Sequence, residues 1–115
     1  MKSIYKYVIG PSNGNLSIPL PEGKTFKECI VSAKEIDSRY RHLEECGDVW
    51  IWVIIDDTQK EQNIQIVSHF TGDKICSPIE DLIPIYTKVI EYGFTWHELL
   101  VIHYFQLLNP EGCEQ

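Results

Sequence analysis

Residues 49–55 read Val-Trp-Ile-Trp-Val-Ile-Ile, and every one of them is β-branched or aromatic. Such side chains fit a pleated surface. The run has the length of a strand and is bounded by Asp48 and Asp56, so strand is favoured over helix. Both faces are apolar, as in a central strand buried on each side or covered by a partner subunit. Trp50 and Trp52 share a face. Residues 56–61, Asp-Asp-Thr-Gln-Lys-Glu, are polar. Alternation returns at 63–70, with Ile64, Ile66 and Phe70 on one side and Val67 and His69 on the other. The two segments are expected to pair as a central hairpin.

The pattern extends both ways. Residues 4–9 alternate, turn formers fill 10–15, and 16–20 alternate as far as Pro19. Proline has no amide to donate, which places that segment at an edge. These two read as a hairpin with a long loop. Residues 26–37 read as a strand, because Ile30 and Val31 are adjacent β-branched residues. Residues 38–47 are polar and suit one or two helical turns ended by Gly47. Ser77-Pro78 followed by Glu80-Asp81 marks a short helical start, and Pro84 ends it. Residues 85–91 form a strand. For 97–108 strand and helix both fit; Val101-Ile102 favours strand, with Leu99, Val101, His103, Phe105 and Leu107 facing one way and Leu100, Ile102 and Tyr104 the other. The expectation is one mainly β domain over residues 1–115, with α+β as the alternative. It is a compact antiparallel sheet or sandwich of about six to seven strands with one or two short helical turns.

At 115 residues and 43% hydrophobic content, the chain can bury a core without staples. No apolar run is long enough to span a bilayer, and Ile4-Tyr5-Lys6-Tyr7 lacks the apolar core of a signal peptide. A cytosolic protein is expected. Cys29, Cys46, Cys76 and Cys113 are irregularly spaced with no CxxC, so reduced thiols are expected and zinc has no clamp. The net charge of −7 disfavours duplex nucleic acid and anionic membranes. No metal or cofactor is implied.

Three groups of residues could carry chemistry. Thr71-Gly72-Asp73-Lys74 could bare backbone amides as an anion nest, although Asp73 would repel a phosphate and a plain turn fits equally. Arg39 and Arg41 flank Tyr40, near Lys24, Lys27 and Lys34. Guanidinium groups clamp phosphates, and Trp50, Trp52 or Tyr40 could stack a base. His69 and His103 could meet across strands as acid and base or as ligands. The plainer readings are a solvated helix surface for Arg39 and Arg41, with Arg41 pairing Glu45, and a satisfied core histidine for His103.

Several stretches together, IYKYVI, IPLPEG, WVIID, FTGDKI, YTKVIEYG and LLVIHYFQL, resemble a family of short, uncharacterised bacteriophage proteins. That pattern opens on Ile-Tyr-Lys-Tyr and has a Trp-bearing strand ending in Asp. It continues with Thr-Gly-His and closes on a strand with His followed by Phe. Asp73 stands where the family has His, and residues 38–47 look inserted. The resemblance implies a phage or prophage origin and a compact β fold, with no catalytic residues to carry over. The expected function is a phage-encoded binding protein in the host cytoplasm. It would counter host defence by blocking a host protein or sequestering a nucleotide signal. The expected contacts are Arg39, Arg41, Lys74, Trp50, Trp52, Thr71 and Gly72, and a homo-oligomer is expected. The alternatives are a small phosphodiesterase-like enzyme using His69 or His103, and a virion or assembly protein.

Overall fold

The computed structural model describes residues 1–10, 14–35, 49–92 and 98–109. Seven strands lie in them: β1 (Lys2–Ile9), β2 (Gly14–Ile18), β3 (Ile30–Glu35), β4 (Val49–Asp56), β5 (Gln62–Phe70), β6 (Leu82–Tyr92) and β7 (Glu98–Leu107). They form two antiparallel sheets, one in the order β1-β4-β3 and the other β2-β5-β7-β6. The mainly β expectation therefore holds, with strand rather than helix at the C-terminal segment.

The sheets pack through one hydrophobic cluster. Val49, Ile51, Val53 and Ile55 of β4 meet Ile64 and Ile66 of β5 and Ile102 and Tyr104 of β7. Ile18, Leu20 and Phe26 join the same cluster. Strand side chains alternate between faces, so one face of β4 is fully buried while Trp50, Trp52 and Ile54 point outward and are half-buried. Within one chain, then, β4 is fully buried on one face and partly on the other.

Two expected hairpins are instead crossings between sheets. β4 pairs with β1 on one side and β3 on the other, which leaves no free edge for β5. Residues 57–61 carry the chain across to the second sheet. The link from β1 to β2 does the same: β1 pairs with β4, and β2 with β5. A polar turn between two alternating segments looks the same in either arrangement. As expected, β2 is an edge strand and stops before Pro19.

The segment read as a strand from residue 26 begins as a helical turn, α1 (Phe26–Cys29). Thr25 Oγ1 accepts the Glu28 amide at 3.2 Å, and the Glu28 carboxylate accepts the Thr25 amide at 2.8 Å. This reciprocal capping box turns the chain so that Phe26 and Cys29 enter the core. The β-branched signal takes over at Ile30. A 3-10 turn at Ile79–Asp81 occupies the predicted helix start. The Tyr86 hydroxyl donates to Glu35 at 3.2 Å and ties β6 to β3.

Cys29 is a buried free thiol, as expected. Cys76 is disulfide-bonded, which corrects the expectation of reduced thiols throughout. Spacing without a CxxC says nothing about which cysteines folding brings together. No helix among the described residues is long and apolar enough to cross a membrane.

Candidate functional site

The outer face of the three-stranded sheet is built by register. Trp50 lies between Val8 of β1 and Lys34 of β3, and Trp52 lies between Lys6 and Ser32. Ile54 stands opposite Ile4. The Trp50 and Trp52 rings meet edge to face, with centroids 6.2 Å apart and an interplanar angle of 88°. The Lys6 ammonium lies 4.2 Å from the Trp50 ring centroid, a cation–π contact. Ile4 and Val8 remain about half exposed beside them.

Charge is sorted on this face. The chain is acidic overall, yet Lys2, Lys6 and Lys34 project here, and the carboxylate in register on the face is Asp56 at one end. Asp56 is occupied by the Thr58 hydroxyl at 2.6 Å and the Thr58 amide at 3.0 Å. These two bonds hold its carboxyl below the ordinary carboxylate range. Next to Ile54 a depression of about 220 Å³ is lined by Lys2, Lys24, Glu28 and Cys29. The Glu28 carboxylate there is engaged by the Thr25 amide.

The second cluster lies on the outer face of the four-stranded sheet. On β5, Ile64 and Ile66 face the core, so His69, of opposite parity, faces outward. His69 and His103 are register partners on β5 and β7. The turn Phe70-Thr71-Gly72-Asp73 closes through the Asp73 amide donating to the Phe70 carbonyl at 3.0 Å. Gly72 has φ +97°, as the third residue of a type II turn requires. The Asp73 carboxylate accepts the Phe70 amide at 2.8 Å and lies 3.9 Å from His69 Nδ1. Thr71 Oγ1 lies 2.8 Å from His103 Nε2, and Thr87 Oγ1 lies 3.4 Å from His103 Nδ1.

Trp50 and Trp52 thus lie on one exterior face, while Thr71 and Gly72 belong to a turn packed against the opposite one, with exposed Lys74 just beyond it. The structure does not bring these two groups together. Arg39 and Arg41 lie outside the described residues. It does bring His69 and His103 together, as their opposite-strand positions suggested. Sequence reasoning missed Lys2 and Lys6 as companions of the tryptophans. Their signal was the alternation Lys2-Ile4-Lys6-Val8, which becomes informative only once β1 is known to pair with β4. Asp73 caps its own turn, a role already carried by the plain-turn reading of the sequence.

Compared with known proteins, the chain matches no family model, no curated protein and no solved structure.

Proposed function

We propose that the protein acts by binding, and that the outer face of the three-stranded sheet holds a nucleobase-bearing anion. The observation that carries this reading is the Lys6–Trp50–Trp52 ladder on a lysine-bearing, half-open face. Tryptophan offers a stacking surface to any base, and ammonium groups answer the phosphate. A free nucleotide or short single strand fits better than a duplex, because the net charge of −7 repels a long polyanion. The resemblance to phage proteins supports the wider setting: a phage-encoded factor that sequesters a nucleotide signal of host defence in the host cytoplasm. Blocking of a host protein is the second reading, favoured by exposed Ile4 and Val8 beside the tryptophans, since aromatic clusters also anchor protein interfaces. A homo-oligomer covering this face belongs to that second reading.

The test is titration with mononucleotides, cyclic dinucleotides and short single-stranded oligonucleotides, followed by tryptophan fluorescence. Stoichiometric quenching without ligand turnover is expected. Base stacking is worth about 1–3 kcal/mol, so Trp52→Ala should weaken binding roughly 5- to 150-fold. Lys34→Gln should weaken it and reduce its salt dependence. Unchanged affinity in Trp52→Ala rules this face out. Turnover under ligand excess, lost with His103→Gln, would replace sequestration with the phosphodiesterase-like reading.

A further inference from the structure

His69 is only 7% exposed, and its Nε2 is closed to solvent without a hydrogen-bond partner among the described residues. Buried polar atoms nearly always have a partner, so an orphan calls for an explanation such as an ion. Its neighbours supply one. We infer that His69 and His103 form a binding site for a divalent transition-metal ion on the outer face of the four-stranded sheet.

Three features point to that chemistry. The two residues are directly opposed in antiparallel register, where Cβ atoms stand about 4.5–5.5 Å apart. Two imidazoles so placed can reach one ion. Second, His69 Nδ1 faces the Asp73 carboxylate at 3.9 Å, and Asp73 is itself fixed by the Phe70 amide. Metal-binding imidazoles commonly donate their far N–H to a carboxylate, which orients the ring and raises its basicity; Asp73 stands next to that position, 3.9 Å away, without the hydrogen bond. Third, among the described residues the ring nitrogens of His103 meet hydroxyls, those of Thr71 and Thr87. A hydroxyl can donate or accept, so one nitrogen can be released to an ion.

Imidazole nitrogens select zinc, nickel or copper over magnesium or calcium. Among the described residues no three His, Cys, Asp or Glu side chains converge as ligands. The site therefore supplies two nitrogens, and water or the Thr71 hydroxyl completes the ion's shell. Because Nε2 is enclosed, the ion enters by displacing neighbours, the Thr71 hydroxyl on His103 first. The site lies across the sandwich from the tryptophan face and does not depend on the function proposed there.

The experiment is calorimetric titration of metal-free protein with Ni²⁺, repeated with Zn²⁺ in competition with a chromophoric chelator. One ion per chain and a higher Tm are expected. His69→Gln and His103→Gln should each weaken binding roughly tenfold or more. Asp73→Asn keeps an acceptor for the Phe70 amide but removes the charge behind His69, and should weaken binding about 10- to 100-fold. A His42→Gln/His97→Gln variant should bind as the native chain does. No binding, binding indifferent to His69 and His103, or binding lost with His42 and His97 overturns the assignment. Circular dichroism shows which variants fold; if His69→Gln does not, His103→Gln and Asp73→Asn decide.

Discussion

The two faces of the first sheet can be told apart with one substitution made twice. Val53 of β4 is 0% exposed and Val8 of β1 is 45% exposed. Val53 points into the core, while Val8 stands beside Trp50 on the outer face. Valine to threonine keeps the shape and β-branching but exchanges a methyl for a hydroxyl. Around Val53 the packed neighbours are aliphatic and aromatic side chains such as Ile51 and Ile55, so the hydroxyl is buried among apolar groups. That costs about 1–3 kcal/mol on protein mutational scales. For a chain of this size it corresponds to a Tm loss of roughly 4–12 °C. At Val8 water reaches the hydroxyl, and the effect should stay within about 0.5 kcal/mol. Urea unfolding followed by far-UV circular dichroism reads both values, provided the m-value is unchanged. Equal costs at the two positions would refute the assignment of an open outer face. A large cost at Val8 that vanishes on dilution would mean that a second copy covers it.

Other consequences are more local. Thr25→Ala removes the cap of α1 and should cost about 1 kcal/mol, visible as a lower urea midpoint. Glu28 is held below its ordinary carboxylate value, chiefly by the Thr25 amide. Its capping contribution is therefore in place above the ordinary carboxylate pKa and lost as pH falls through the lower folded value, so acid titration should show a stability loss that Glu28→Gln removes. Tyr86→Phe deletes the β6–β3 hydrogen bond to Glu35 and should cost about 1 kcal/mol in the same urea assay. Gly72→Ala meets no steric obstruction but forces an L-residue to positive φ, for about 1–3 kcal/mol. Its nuclear magnetic resonance shift changes should centre on the turn and His103.

Alternation along each strand was legible in the sequence: Ile102 and Tyr104 do share a face against Val101, His103 and Phe105. Which face meets the core was not, because both are largely apolar in β7 and in β4. That is why His103 read as a core histidine and Trp50 and Trp52 could be read either way. Sheet membership was also hidden, since the polar segments at 10–15 and 57–61 carry the same turn chemistry whether the chain folds back or crosses over. The strand reading of 26–37 rested on Ile30-Val31 and passed over Thr25-x-x-Glu28, the capping box that starts α1. The lysines of the tryptophan face could not be assigned until pairing placed β1 beside β4.

The crossings between sheets also set the order in which the chain can fold. β3–β4 and β6–β7 join strands that follow one another, but β1 must wait for β4, whose partners lie 40 to 54 residues further on, from Ile9 with Val49 to Lys2 with Asp56. At about 5–20 residues per second of synthesis, β1 leaves the ribosome seconds before its partner β4 has been made. Non-local pairing of this kind slows folding. During that interval the apolar residues Ile4, Tyr5, Tyr7, Val8 and Ile9 have no β4 to cover them, and Lys2 and Lys6 among them are charges of the kind that discourage pairing between neighbouring chains.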